Sequence, residues 1–216
     1  TGSGYGLNPP AVGVDFFQGP VADIGDLIDN DKDGCTDCTF IEDDNGNIVA
    51  ITDSVLSEQI IMSKFVYYDN INNIPTGNPL NTADFYNYLQ GIWLDGQPMT
   101  FGGDGRDPSA PVTDYMYPGN TDPAFPAQDW SEAGEGNPVG DRRFLQSAGK
   151  FTLEPGAVNY ITTGVVWARA SQGGQFASVD LVKLADDKAQ ALFDNCFKLI
   201  DGPDAPDVAI RELDKT

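Results

Sequence analysis

Hydrophobic positions come in short runs rich in β-branched and aromatic residues, separated by Gly, Pro and Asp. That is the pattern of brief strands and turns. The first ten residues are Gly- and Pro-rich and read as linker. A strand is predicted over Val12–Phe17. Thr39–Ile51 reads as a hairpin: Phe40 and Ile41 lead into Asn45-Gly46, a dipeptide that tolerates positive φ, and Ile48, Val49 and Ile51 lead out. Further strands are expected at Phe65–Tyr68, Met99–Phe101, Arg143–Gln146 and Lys150–Leu153. After the turn signal Pro155-Gly156 comes a long strand, Val158–Ala170.

Two segments have helical spacing instead. Asn81 can cap a helix over Thr82–Ile92 with Phe85, Tyr88, Leu89 and Ile92 on one face. Ser178 can cap a second, running to Ile200 and stopped by Gly202-Pro203. Its stripe is Leu181, Leu184, Ala185, Ala189, Leu192, Cys196 and Leu199. Residues 102–141 show no period and are long for a connection, so they are either a functional loop or a region of short strands. The expected fold is α+β, predominantly antiparallel, in the form of a β-sandwich carrying the long C-terminal helix and the short middle one. Residues 1–10 are expected to be linker and 11–205 one β-rich domain. Residues 206–216 would be a terminal strand, or a linker to a further module or neighbouring subunit.

Composition narrows the function. With 33 acidic and 12 basic residues the formal net charge is −21. Such a surface repels phosphate backbones and anionic membranes and attracts divalent cations. Histidine is absent, which removes the commonest general base and most zinc-based chemistry. Hydrophobic residues at 40% supply a real core, and no apolar run reaches the about 20 residues that span a membrane. The start, Thr1-Gly2-Ser3-Gly4, has the look of an interior fragment or processed end.

The most informative segment is Asp29-Asn30-Asp31-Lys32-Asp33-Gly34-Cys35-Thr36-Asp37, of the form D-x-D-x-D-G-x-x-D. Calcium takes about six to eight oxygens in flexible geometry. Asp29, Asp31 and Asp33 alternate around such an ion, Gly34 allows the sharp turn, Cys35 can offer its carbonyl, and Asp37 can bind directly or through water. Asp23 or Asp26 could supply a missing ligand. An EF-hand would place a bidentate Glu at the twelfth position; here that residue is Phe40, and Glu42 comes too late. The loop is closer in pattern to those of thrombospondin type 3 and dockerin-like modules. Cys35 and Cys38 form a CxxC within it without the second pair that zinc requires. A disulfide, Cys35–Cys38 or one of them with Cys196, is expected in an oxidising compartment.

Longer stretches carry a family resemblance. Asp141-Arg142-Arg143-Phe144-Leu145-Gln146-Ser147-Ala148-Gly149, Phe151-Thr152-Leu153-Glu154-Pro155-Gly156, Val165-Val166-Trp167-Ala168-Arg169-Ala170 and the run Ala185 to Phe197 resemble a module of large secreted surface proteins of Bacteroidota-type bacteria, which leave the cell by type IX secretion. Phe16-Phe17-Gln18-Gly19-Pro20 and the run Gly91 to Gly103 are similar to the same proteins. The resemblance implies an extracellular or cell-surface location and a longer chain with further β-rich modules. It brings no catalytic residue. Asp53-Ser54-Val55 fits the short O-glycosylation pattern of these bacteria, which makes Ser54 a candidate.

The expected function is therefore a non-enzymatic, calcium-binding structural or adhesive surface module. It could be a subunit of an extracellular fibre that meets its neighbours by strand donation through Val208–Leu213. The alternative is a glycan-binding module. Trp93 and Trp167 are expected in the core, whereas Tyr115 and Trp130, in the aperiodic region, are the candidates for an exposed glycan-binding face. A carboxylate-pair glycosidase using Glu132, Glu135 or Asp141 is disfavoured because nothing sets one pair apart. Arg142 and Arg143 are expected to form internal ion pairs.

Overall fold

The computed structural model describes residues 4–32, 34, 39–42, 48–52, 58–138 and 140–197, with backbone alone for 39–42 and 48–52. In chain order the elements are β1 (Ala11–Gln18), β2 (Thr39–Glu42), β3 (Ile48–Thr52), β4 (Met62–Asp69), α1 (Thr82–Leu89), β5 (Arg142–Ala148), β6 (Thr162–Ala168) and α2 (Gly174–Asp194). The fold is α+β. Among the described residues the strands form three two-stranded sheets, β1–β6, β2–β3 and β4–β5, in place of the expected broad sandwich sheets. The β2–β3 hairpin and the β4–β5 pair are antiparallel. Among the described residues no helix is long and apolar enough to cross a membrane.

Three expected strands differ. Met99–Phe101 is not a strand and carries only the isolated bridge of Thr100 with Val112. Lys150–Leu153 is not a strand, and the long strand begins only at Thr162. Asn159 accepts from Val21 N–H at 2.8 Å and donates to Val21 C=O at 2.9 Å, doing with one side chain what a neighbouring strand would do. Asp23 likewise accepts from the backbone N–H and hydroxyl of Thr152, both at 2.7 Å. Side-chain bonds of this kind compete with ladder formation.

The chain divides into two compact units, one of Thr1–Phe17 with Thr163–Thr216 and one of Gln18–Thr162. The second holds the principal core: Val66, Tyr68, Tyr88, Trp93, Met99, Met116 and Trp130. α1 begins as the sequence predicts. The Asn81 carboxamide accepts from Ala83 and Asp84 N–H, and Asp84 accepts from Leu80 N–H. The helix ends at Leu89, and of its predicted face only Tyr88 is fully buried. Tyr88 meets Tyr68 and Trp93 ring to ring.

The aperiodic 102–141 segment is folded onto this core by short bridges, Thr100 with Val112 and Gly119 with Trp130, and by a parallel bridge of Phe65 with Tyr115. Trp93 Nε1 donates to Gly105 C=O at 2.8 Å and Trp130 Nε1 to Gly103 C=O at 3.2 Å. Gly105 is required there: its φ is +77°, and a Cβ would come within 3.0 Å of the Trp93 ring.

In the first unit β1 and β6 meet α2 through Gly13, Val166 and Val182, and Phe17 stacks on Phe193 at 5.4 Å. α2 starts earlier than predicted, after Gly173 at φ +93°. Ser178 is therefore not its cap. It lies buried inside the helix, accepting from Ala170 N–H and donating to Pro9 C=O. The buried residues of α2 are Ser178 and Val182, whereas Leu181 and Leu184 of the expected stripe are exposed. The packed side is rotated because it includes polar Ser178 and half-buried Asp186 and Gln190. The expectation for Trp167 is also corrected: it is 57% exposed, on a sheet only two strands wide.

Candidate metal centre

The aspartate loop turns by left-handed backbone. Leu27, Lys32 and Gly34 have φ of 62°, 61° and 93°. For Leu and Lys this region is strained, and such strain persists only where surrounding contacts hold it. The segment is anchored from the far side of the β2–β3 hairpin. Val21 bridges Gln59, Ala22 N–H donates to Glu58 C=O at 2.8 Å, and Ile60 N–H donates to Pro20 C=O at 2.8 Å. The approach is so close that a Cβ on Gly19 would overlap Ile60 C=O, at 1.6 Å. Ile61 N–H donates to Asn30 C=O at 3.3 Å.

These contacts bring Glu58 onto the loop. Its carboxylate accepts from Asn30 N–H at 2.7 Å, and Asp29 accepts from Gly34 N–H at 3.0 Å. Asp29, Asp31 and Glu58 each place a carboxylate oxygen within 4.8 Å of the other two, a group that could hold a metal ion. Glu58 is only 7% exposed, and the two aspartates are half-buried. Three like charges held this close repel one another, and a divalent cation between them removes that cost.

Of the other expected ligands, Asp33, Cys35 and Asp37 lie outside the described residues, as do Cys38 and Ser54. Asp23 and Asp26 are not in the carboxylate group. The Thr152 bonds hold the Asp23 carboxyl below the usual carboxylate range, and Asp26 accepts from Ile28 N–H and the Asn30 carboxamide. Cys196 is an exposed, free thiol among the described residues, and the cysteines expected to pair with it or with each other lie outside them. Glu58 had no signal in the sequence: it follows the hairpin in a stretch without periodicity, and only the return of the chain against residues 20–22 and 30 brings it to the loop.

The aromatic candidates also sort by packing. Trp130 is 2% exposed, stacked among Phe101 and Tyr117, and presents no face to a ligand. Met116 and Trp130 of the aperiodic region join the core, which corrects the expectation of exposure for Trp130. Tyr115 is half-buried, with its hydroxyl donating to Met62 C=O at 2.9 Å and Lys32 over its ring. Arg142 is internally paired with Asp69 at 2.9 Å and Glu132 at 3.0 Å, and Arg143 reaches Asp141 at 3.9 Å. No protein-family model, curated protein or solved structure matches the chain.

Proposed function

We propose that this chain is a non-enzymatic, calcium-stabilised structural module of an extracellular surface assembly, with Asp29, Asp31 and Glu58 as three of the calcium ligands. The observation that carries the reading is the convergence of the buried Glu58 carboxylate on an aspartate loop of calcium-binding pattern. Glu58 supplies the long carboxylate that Phe40 cannot supply at the twelfth position. On the sequence pattern, Asp33, the Cys35 carbonyl and Asp37 would complete the oxygen set expected of calcium. A hard, all-oxygen donor set with acidic residues and no histidine favours calcium over zinc or copper. The extracellular assignment is supported by the resemblance to secreted surface modules and by the acidity, which suits a compartment rich in calcium.

The ion would act structurally, by binding the folded chain and not the unfolded one. At free calcium about a hundredfold above Kd the gain is about 2.7 kcal/mol, equivalent to roughly 5–11 °C in Tm for a chain of this size. The test is thermal melting in calcium and in excess EGTA, for the native chain and for Glu58→Gln, which keeps the acceptor for Asn30 N–H. Calcium should raise the Tm of the native chain by several degrees and of the variant much less. Superimposable native melts with and without chelator would rule the reading out.

A further inference from the structure

Away from the aspartate loop, the second unit contains a cavity of about 500 Å³ that no part of the calcium reading uses. Its walls include Tyr67 of β4, Arg142 of β5, and Trp93, Arg106, Tyr117 and Asn137. The volume lies within the about 300–1,000 Å³ range of small-molecule sites. Two features mark it as more than a packing defect. Tyr117 has φ 51°, a conformation a bulky residue rarely adopts. It is held there by Tyr67 and Trp130 edge-on at 5.2 and 5.0 Å and by the Asn137 carboxamide, which donates to its hydroxyl at 2.6 Å. Backbone strain retained in this way clusters at ligand clamps. The second feature is Arg106. Its Nη2 is held by Asp95 at 2.6 Å, while its Nη1 is buried without a hydrogen-bond partner. A buried donor left unpaired by its own chain is uncommon in folded proteins.

The charges select the ligand. Arg106 is neutralised by Asp95, and Arg142 by Asp69 and Glu132. Asp104 adds a further carboxylate to the wall. The lining therefore has no surplus positive charge to hold an anion. The Arg142 guanidinium lies 5.5 Å from the centre of the Tyr67 ring, so one face of that ring already carries a cation. What remains is aromatic surface interleaved with carboxylates that have spare acceptor sites and a carboxamide. That combination matches a neutral polyhydroxylated ring, apolar on its faces and both donor and acceptor at its edge. We propose that this cavity is a binding site for a neutral mono- or disaccharide.

The experiment is saturation-transfer NMR and calorimetry on the full chain, in calcium-containing buffer, with glucose, galactose, mannose, N-acetylglucosamine, maltose and cellobiose. Galacturonate serves as the anionic control. At least one neutral sugar should bind saturably, with Kd of about 1 mM or below. Asp104→Ala, at an exposed position of the wall, should weaken that binding about tenfold while leaving the Tm within a degree or so, and Asn137→Ala should weaken it as well, with a lower Tm because Tyr117 loses its donor. Failure of every neutral sugar to bind more tightly than about 10 mM would overturn the proposal. So would preferential binding of galacturonate, or sugar binding that both variants leave unchanged. These outcomes are independent of the calcium reading, which is judged by melting in chelator.

Discussion

Asp186 carries a half-buried carboxyl on the packed side of α2, and its Oδ1 is buried with no hydrogen-bond partner. Burial, and then the charges of Asp15 and Asp187, hold its pKa above the usual carboxylate range. The sign of the consequence follows from linkage. A pKa raised in the folded state means that folding favours the protonated form. The associated stability is complete below the unfolded carboxyl pKa of about 3.9 and is lost as pH rises through the higher folded value. Asp186→Asn should therefore be more stable than the native chain at pH 7, with the difference shrinking towards about pH 4. Urea unfolding followed by circular dichroism at 222 nm across that interval measures it, and a difference independent of pH would show that the charge is not the cause. Single residues were thus unevenly legible. Trp93, after an amphipathic helix, was placed correctly in the core. Trp130 and Trp167 were exchanged, because local periodicity does not report whether a second layer covers a strand or a loop.

Elements were legible where local chemistry defines their ends. α1 follows from Asn81 and Asp84, the β2–β3 hairpin from the apolar residues on either side of Asn45-Gly46, and β4 from its aromatic and β-branched run. Asn81→Ala should cost about 0.5–2 kcal/mol. The loss should appear as a lower urea midpoint by tryptophan fluorescence, because α1 carries Tyr88 against Trp93. A midpoint equal to the native one would mean that the first turn of α1 contributes nothing to the core it supports. The elements that were misread share a cause. The expected strands at Lys150–Leu153 and Val158–Ile161 are replaced by the side-chain bonds of Asp23 with Thr152 and of Asn159 with Val21, pairings between residues far apart in sequence. The packed side of α2 is partly polar, so Leu181 and Leu184 of the expected stripe are exposed while Ala185, Ala189 and Leu192 are half-buried. The candidate metal group was half legible in the same sense: Asp29 and Asp31 lie in a recognisable loop, and Glu58 reaches them only through tertiary pairing.

At the scale of the whole molecule, a formal charge of −21 makes every cation stabilising to some degree. Screening of self-repulsion by salt and occupation of a defined site by calcium must therefore be told apart. They differ in concentration and in ion identity. Screening depends on ionic strength, with a Debye length near 10 Å at about 0.1 M monovalent salt, and it changes little when a millimolar divalent ion is added to that background. A site built from converging carboxylates is different. It saturates at the ion's own Kd, and it prefers calcium to magnesium because magnesium gives up its water reluctantly and demands near-ideal octahedral geometry. In the chelated protein, raising NaCl from about 0.02 to 0.15 M should increase Tm gradually. In constant 0.15 M NaCl, calcium at about 1 mM should add a further, saturable increase that equal magnesium does not reproduce. Glu58→Gln should keep the NaCl response, since it removes one charge of a large excess, and lose most of the calcium response. If magnesium and calcium acted alike, and the variant responded as the native chain does, the stabilisation would belong to the acidic surface as a whole and Asp29, Asp31 and Glu58 would have no special part in it.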